Sequence, residues 1–210
     1  MKPCKKKNKL SILCALLLLF SCTSIRQPAP IIHYYTLRYP PLVLTGLPPI
    51  QTQVLVRMYS ASSLLQTNDM VYQSGGYQLY SDPYHKWQEM PEEMVLSCLL
   101  RNFQASGLFL GGVFGTGTVV KPQYVLEGRL DVFCATAGKN GRSAVISVTA
   151  TLIRKASNHY TVFQKQYNGK ELLKQDDPDG LARAMSAALE KISASMLTDV
   201  YHRILDDAGQ

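Results

Sequence analysis

The four histidines of this 210-residue chain, His33, His85, His159 and His202, are the first candidates for chemistry. None stands at a metal-ligand spacing from another, and no Cys-x-x-Cys occurs. Neither a zinc site nor a dithiol redox centre is therefore expected, and loop or surface positions account for them. Glu89, Glu92 and Glu93 could supply a general acid and base. Pro91 between them marks a helix start, where the dipole favours acids, and that explains them without catalysis. The run Asp176-Asp177-Pro178-Asp179 offers oxygen ligands but lacks the rest of a calcium loop, and reads as a helix cap. Serines are plentiful, yet no Gly-x-Ser-x-Gly elbow is present. Residues 107–118, GLFLGGVFGTGT, lack the Walker spacing and its Lys-Ser/Thr, so a flexible or partner-contacting loop is expected there rather than a phosphate cradle.

The thiols say more. Lys2, Lys5, Lys6, Lys7 and Lys9 form a basic start, and Leu10 to Phe20 is apolar except at Ser11. That is the pattern of a signal peptide. The apolar run is about half the roughly 20 residues of a spanning helix. Leu19-Phe20-Ser21-Cys22 resembles the lipobox of bacterial lipoproteins, with a small residue before the cysteine that receives diacylglycerol. Cys14 follows the bulky Leu13 and fits poorly. Residues 1–21 are thus read as a lipoprotein signal peptide and Cys22 as the lipid (palmitate-type) attachment point. No other cofactor is expected. Stable anchoring takes more than one acyl chain, at about 0.8 kcal/mol per buried methylene. Thr23, where an Asp would signal retention in enterobacteria, implies delivery to the periplasmic face of the outer membrane.

Without the signal the charge balance changes. Of 22 basic residues, five lysines lie in residues 1–21, leaving 17 against 15 acids. The basic character belongs largely to the signal, so no nucleic-acid partner is read from it. Cys98 and Cys134 remain. An oxidising compartment would permit a disulfide between them; two buried free thiols are the alternative.

Residues 22–32 read as a lipidated cysteine and a Pro-containing tether, and 33–206 as one domain. His33 to Leu37 and the alternation of Val54, Val56 and Met58 read as strands. Asp69–Tyr72 and Tyr77–Ser81 flank Ser74-Gly75-Gly76 as a hairpin. Residues 88–105 read as a helix with Met94, Val95, Cys98, Leu99 and Phe103 on its apolar stripe. Three strands follow, over 123–134, 143–153 and 160–167. In the first, Tyr124, Leu126, Leu130, Val132 and Cys134 share a face. Asp177 and Pro178 open a last helix with Leu181, Met185, Ala188, Ile192 and Met196 inward. The expected fold is α+β: a mainly antiparallel or mixed sheet with two helices packed on one face. Tyr72, Tyr77, Tyr80 and Tyr84 crowd around Trp87, and Phe109 and Phe114 lie in the glycine loop. These seven are the candidate partner surface, with core packing the competing explanation for each.

In this order of features the chain resembles the ABC-type transport auxiliary lipoproteins, which include the lipoprotein of the paraquat-inducible system. The resemblance rests on the lipobox, Tyr34-Tyr35-Thr36-Leu37, the Val54-Leu55-Val56 strand and Trp87-x-Glu89-x-Pro91 before a helix. Tyr124-Val125-Leu126-Glu127-Gly128 and the closing Ala-rich helix complete it. It implies a non-enzymatic role beside an ABC permease and ATPase and a substrate-binding protein with a mammalian-cell-entry (MCE) domain. Such a system would move lipids or other hydrophobic molecules across the envelope. Homo-oligomerisation stays open. A structural or regulatory envelope lipoprotein is the alternative reading.

Overall fold

The computed structural model describes residues 29–42, 44–155 and 159–209. Cys22, the signal peptide and most of the tether lie outside the described residues. One compact unit, Ile32–Gln210, holds the sheet and both helices. Its strands are β1 (His33–Tyr35), β2 (Val54–Ala61), β3 (Asp69–Ser74), β4 (Gln78–Trp87), β5 (Val113–Phe114), β6 (Tyr124–Gly138), β7 (Gly141–Arg154) and β8 (Tyr160–Leu172). Helix α1 spans Pro91–Ala105 and α2 spans Pro178–Ala208. The expected α+β class is what the chain adopts, with the sheet mixed in strand direction.

Strand β6 organises the sheet. Along one edge it pairs antiparallel with β7, which pairs antiparallel with β8. Its other edge is divided. Parallel β2 takes Tyr124 to Leu130, and parallel β3 takes Ala135 and Thr136. Antiparallel β4 follows β3, and β1 runs parallel to β4 at the margin. Between Leu130, opposite Val148, and Val132, opposite Ser147, β6 carries the extra residue Asp131. Such a bulge reverses which residues face inward. Leu126 and Leu130 face the helices before it; Phe133 and Ala135 do so after it. The expected single face through Val132 and Cys134 is therefore wrong beyond Leu130, because alternation assumes an unbroken ladder.

Both helices cover the same face. Val54, Val56, Met70, Leu126, Leu130, Ile146, Val148 and Leu152 pack beneath Met94, Val95, Leu99 and Phe103 of α1 and Leu181, Met185, Leu189 and Leu197 of α2. Trp87 meets Phe133 edge-on at 5.2 Å. Buried Asn102 joins α1 to α2 and to the segment after β1: its Nδ2 donates to Ser193 Oγ at 3.1 Å, and its Oδ1 accepts from the Leu42 amide at 3.1 Å. Late in β8, Gly169 lets α2 approach, since a Cβ there would sit 3.1 Å from Ala188 Cβ and 3.0 Å from Ile146 Cγ2. Strand β8 thus runs on to Leu172, five residues beyond the expected end at Tyr167.

The start of α2 follows its sequence signals closely. Asp177 is extended, Pro178 opens the first turn, and Asp177 Oδ1 accepts from the Gly180 amide at 2.6 Å. Asp177→Ala should lower unfolding free energy by about 1 kcal/mol, read from urea unfolding curves at neutral pH.

Candidate functional site

The register sorts the loops into two ends. Residues Gln73 and Thr136 are paired in parallel, so the β3–β4 and β6–β7 turns leave the sheet together. Ser143 is opposite Leu172, which brings the β8–α2 connection to the same end. Both glycines of the first turn hold positive φ, Gly75 at 61° and Gly76 at 86°, a conformation costly for other residues. Tyr77 beside them is 100% exposed, and Leu79, Tyr80 and Leu172 are also exposed. Tyr80 stacks on buried Tyr72 at 5.3 Å, and the Arg142 guanidinium lies 5.4 Å from the Tyr72 ring centroid. Burial pushes the Tyr72 hydroxyl up to about 12.

Further along the hairpin, β4 bulges at Pro83 to His85. Asp82 Oδ1 accepts from the amides of Tyr84 and His85 at 2.8 and 3.1 Å, and Oδ2 lies 2.9 Å from His85 Nδ1. Burial alone would raise this carboxyl, but those hydrogen bonds outweigh it and hold it below its usual range. His33 of β1 stacks on the His85 ring at 5.6 Å. The bulge turns Tyr84 outward, where it stays exposed.

At the opposite end lie the start of β2, the segment between α1 and β6, and the C-terminus of α2. The glycine-rich stretch there is more ordered than a free loop. Ile50 bridges Phe109, and β5 pairs with Val54 and Leu55. Phe109 stacks on Phe103 at 6.0 Å. Leu110 and Val119 point into solvent. Beside Leu110, whose amide donates to the Ile50 carbonyl at 2.9 Å, a groove of about 470 Å³ runs between Ile50, Tyr124, Arg154, Lys155, Ile204 and Leu205. Its floor is tied by Asp207, buried near the end of α2. Tyr124 and Tyr160 hydroxyls donate to its carboxylate at 2.6 Å each, and Arg154 Nη1 donates at 2.6 Å. Burial works against ionisation, but these three donors prevail and lower the Asp207 pKa. Burial and the adjoining carboxylate raise Tyr124.

Among the described residues no group of three or more His, Cys, Asp or Glu side chains is placed to hold a metal, and no helix is long and apolar enough to cross a membrane. Cys98 and Cys134 are free and buried. Cys98 sits in the core under α1, whereas the bulge turns Cys134 to the opposite face of the sheet, beside Val71, Leu79 and Val132. A disulfide cannot cross that layer, which corrects the bridge considered above. Burial raises both thiols, so neither is an activated nucleophile. His202 packs edge-on against Tyr201. The arrangement offers surfaces for binding.

A family model described as the ABC-type transport auxiliary lipoprotein component matches residues 35–197. The chain belongs to the ABC-type transport auxiliary lipoprotein family. A solved protein from Xanthomonas campestris, assigned to family DUF330, superposes at TM-score 0.77 with 18% identity, over 84% of this chain and 99% of that one. A second solved structure, of an uncharacterized protein, superposes at 0.62 with 14% identity, over 81% and 99%. At such identities the likeness shows the fold alone. No curated protein sequence matches.

For this auxiliary lipoprotein the seven candidate surface residues separate. Tyr77, Tyr80 and Tyr84 are exposed, and Phe114 is half-buried at the far end. Tyr72, Trp87 (1% exposed) and Phe109 (5%) are core residues and meet no solvent partner. Adjacent sequence could not separate them, because Tyr80 and Trp87 lie on one strand and differ only in what covers them. Leu79, Leu110, Val119 and Leu172 were missed. Their signal was an apolar residue inside a turn or loop, visible but common. The Asp207 cluster was missed as well, since the three partners of this helix residue come from three different strands.

The Asp207 linkage has a defined sign. Its folded pKa lies below the unfolded one, so the stability it contributes is full above the ordinary carboxylate range, near 3.9. That stability is lost as pH falls from there through the depressed folded value. Urea midpoints of the wild type should drop across that window. Asp207→Asn should start lower and show a shallower drop; parallel profiles would contradict the assignment.

Proposed function

We propose that this chain is a lipid-anchored, non-catalytic auxiliary of an envelope ABC transport system. It would stand at the periplasmic face of the outer membrane and receive an MCE-domain substrate-binding protein. The system's cargo would be lipids or other hydrophobic molecules. Family membership supports the association with transport. The observation that carries the binding role is the separation of the two ends. The chain enters the domain at β1, whose N-terminal end points toward the β3–β4 turn, and exposed Leu110 with its amphipathic groove stands at the opposite end. Exposed apolar side chains beside a groove with a few polar groups suit a protein interface.

Two measurements test this. Detergent extracts of cells carrying the tagged chain should yield an MCE-domain protein with the wild type. Leu110→Asp with Val119→Asp should lose it at unchanged thermal stability, since both residues are exposed. Recovery of no such protein with the wild type would refute the partner reading. For the anchor, Cys22→Ala should remain an unlipidated precursor; normal acyl labelling of that variant would rule out Cys22 as the attachment point.

A further inference from the structure

The direction of β1 carries information that the fold alone does not use. β1 runs parallel to β4, with His33 opposite His85 and Tyr35 opposite Trp87. β4 runs away from the β3–β4 turn. The N-terminal end of β1, where the tether joins, therefore points toward that turn. Because β4 bulges, Lys86 next to His85 lies opposite Asp69 while Gln78 lies opposite Ser74, a span of five partner residues or about 16 Å at the strand rise. Ten residues, or eleven Cα-to-Cα steps, separate Cys22 from His33, a reach of at most ~40 Å. The tether can thus bring a lipid on Cys22 level with the turn and beyond it.

The side chains at this end suit what the tether would meet there. Tyr77 projects fully, Leu79 and Tyr80 flank it, and Leu172 is exposed at the neighbouring strand end. Lys139 of the β6–β7 turn and Lys170 and Lys174 near the end of β8 are exposed cations without a carboxylate partner among the described residues. The acids nearby are engaged. Asp176 pairs with Arg142 at 2.7 Å, Asp179 with Arg183 at 2.5 Å, Glu171 with Lys191, and Asp177 caps α2. Tyrosine has an apolar ring and a polar tip, which places it at a membrane–water boundary. Unpaired lysines are drawn to anionic headgroups.

We propose that this end is a membrane-docking surface: the β3–β4 turn, Tyr77 foremost, rests in the headgroup layer of the bilayer that holds the Cys22 lipid. The proposal rests on the lipid attachment assigned above. Docking would replace free swinging on the tether by one orientation, with the Leu110 end turned away from the membrane.

Site-directed indoles test the orientation. Tyr77→Trp and Leu110→Trp variants of the full lipidated chain are reconstituted in phosphatidylethanolamine and phosphatidylglycerol vesicles, with and without brominated acyl chains. The native Trp87 is buried and gives a constant background. Emission from the Tyr77→Trp variant should shift to the blue on reconstitution and be quenched by the brominated lipid. The Leu110→Trp variant should show neither change. Equal quenching at both positions, or none at Tyr77→Trp in vesicle-bound protein, overturns docking and leaves the anchor standing. If Tyr77→Asp abolishes partner capture while that indole stays unquenched, the end contacts protein instead and docking is overturned. Protein that neither floats with vesicles nor carries acyl mass on Cys22 removes the anchor, and docking with it.

Discussion

Everything in this domain is hung on one strand. β6 is fifteen residues long and is paired on both edges. Its partner edge is split between β2 and β3, two consecutive strands running the same way along it. They could form one long strand but do not. The interruption, a short helical turn at Ser63–Leu65, falls beside the Asp131 bulge. There the Asp131 carboxylate accepts from Arg129 Nε at 2.6 Å and from Thr149 Oγ1 at 2.5 Å. Burial would raise that carboxyl, yet the two donors lower it. Because the bulge is fixed by its own ion pair and a neighbouring strand, it is a built feature of the sheet.

The bulge decides what each half of the sheet can do. Before it, β6 packs its inward residues under α1 alongside β2. After it, the inward residues serve the β3–β4–β1 ribbon, and Phe133 receives Trp87. The ribbon gains a buried anchor at its base while its turn projects free. A hairpin alone is marginal in water; Trp87 and Tyr72 in the core give this one a rigid root. Tyr80 and Tyr84 are therefore held on a strand, and Tyr77 in the tight glycine turn that opens it, which is what an oriented contact requires.

Sequence reasoning read the local features well. The cap and apolar stripe of α2, the stripe of α1 and the glycine turn of the hairpin depend on residues within one or two helical turns, so their spacing is visible. Features set by contacts between distant elements were hidden. Asp131 looked like one more alternating polar residue, and nothing near it announced a bulge, so Val132 and Cys134 were placed on the wrong face. The strand expected over 160–167 stops short of Gly169, whose role depends on Ala188, nineteen residues later. Val113 and Phe114 were too short a run to register as a strand. Tyr77 and Tyr72 carry the same side chain five positions apart, and only the sheet beneath one of them distinguishes surface from core. Family membership was legible through the order of weak motifs, because order over most of a chain constrains more than any one motif.

Helix α2 then sets the scale of the molecule. Its 31 residues span about 46 Å at the helical rise. It begins beside Arg142 at the turn end and finishes with Asp207 beneath the groove at the other. Along its length it is tied to the sheet at several points. Lys191 pairs with Glu171, Lys165 and the Tyr167 hydroxyl hold Asp199 at 2.6 and 2.8 Å, and Tyr201 donates to the Pro48 carbonyl at 2.7 Å. Each exposed pair is worth little alone, but with the apolar seam beneath them they stop the helix from sliding or tilting. Asp207 is an acid at the end of a helix where the dipole disfavours it. Only the Arg154 charge and two tyrosine hydroxyls make the position tolerable, and all three come from the sheet. The far end of the helix is consequently registered against the far end of the strands. A domain held at one end would present the groove and Leu110 at a fixed height of roughly one helix length, set by packing rather than by the tether.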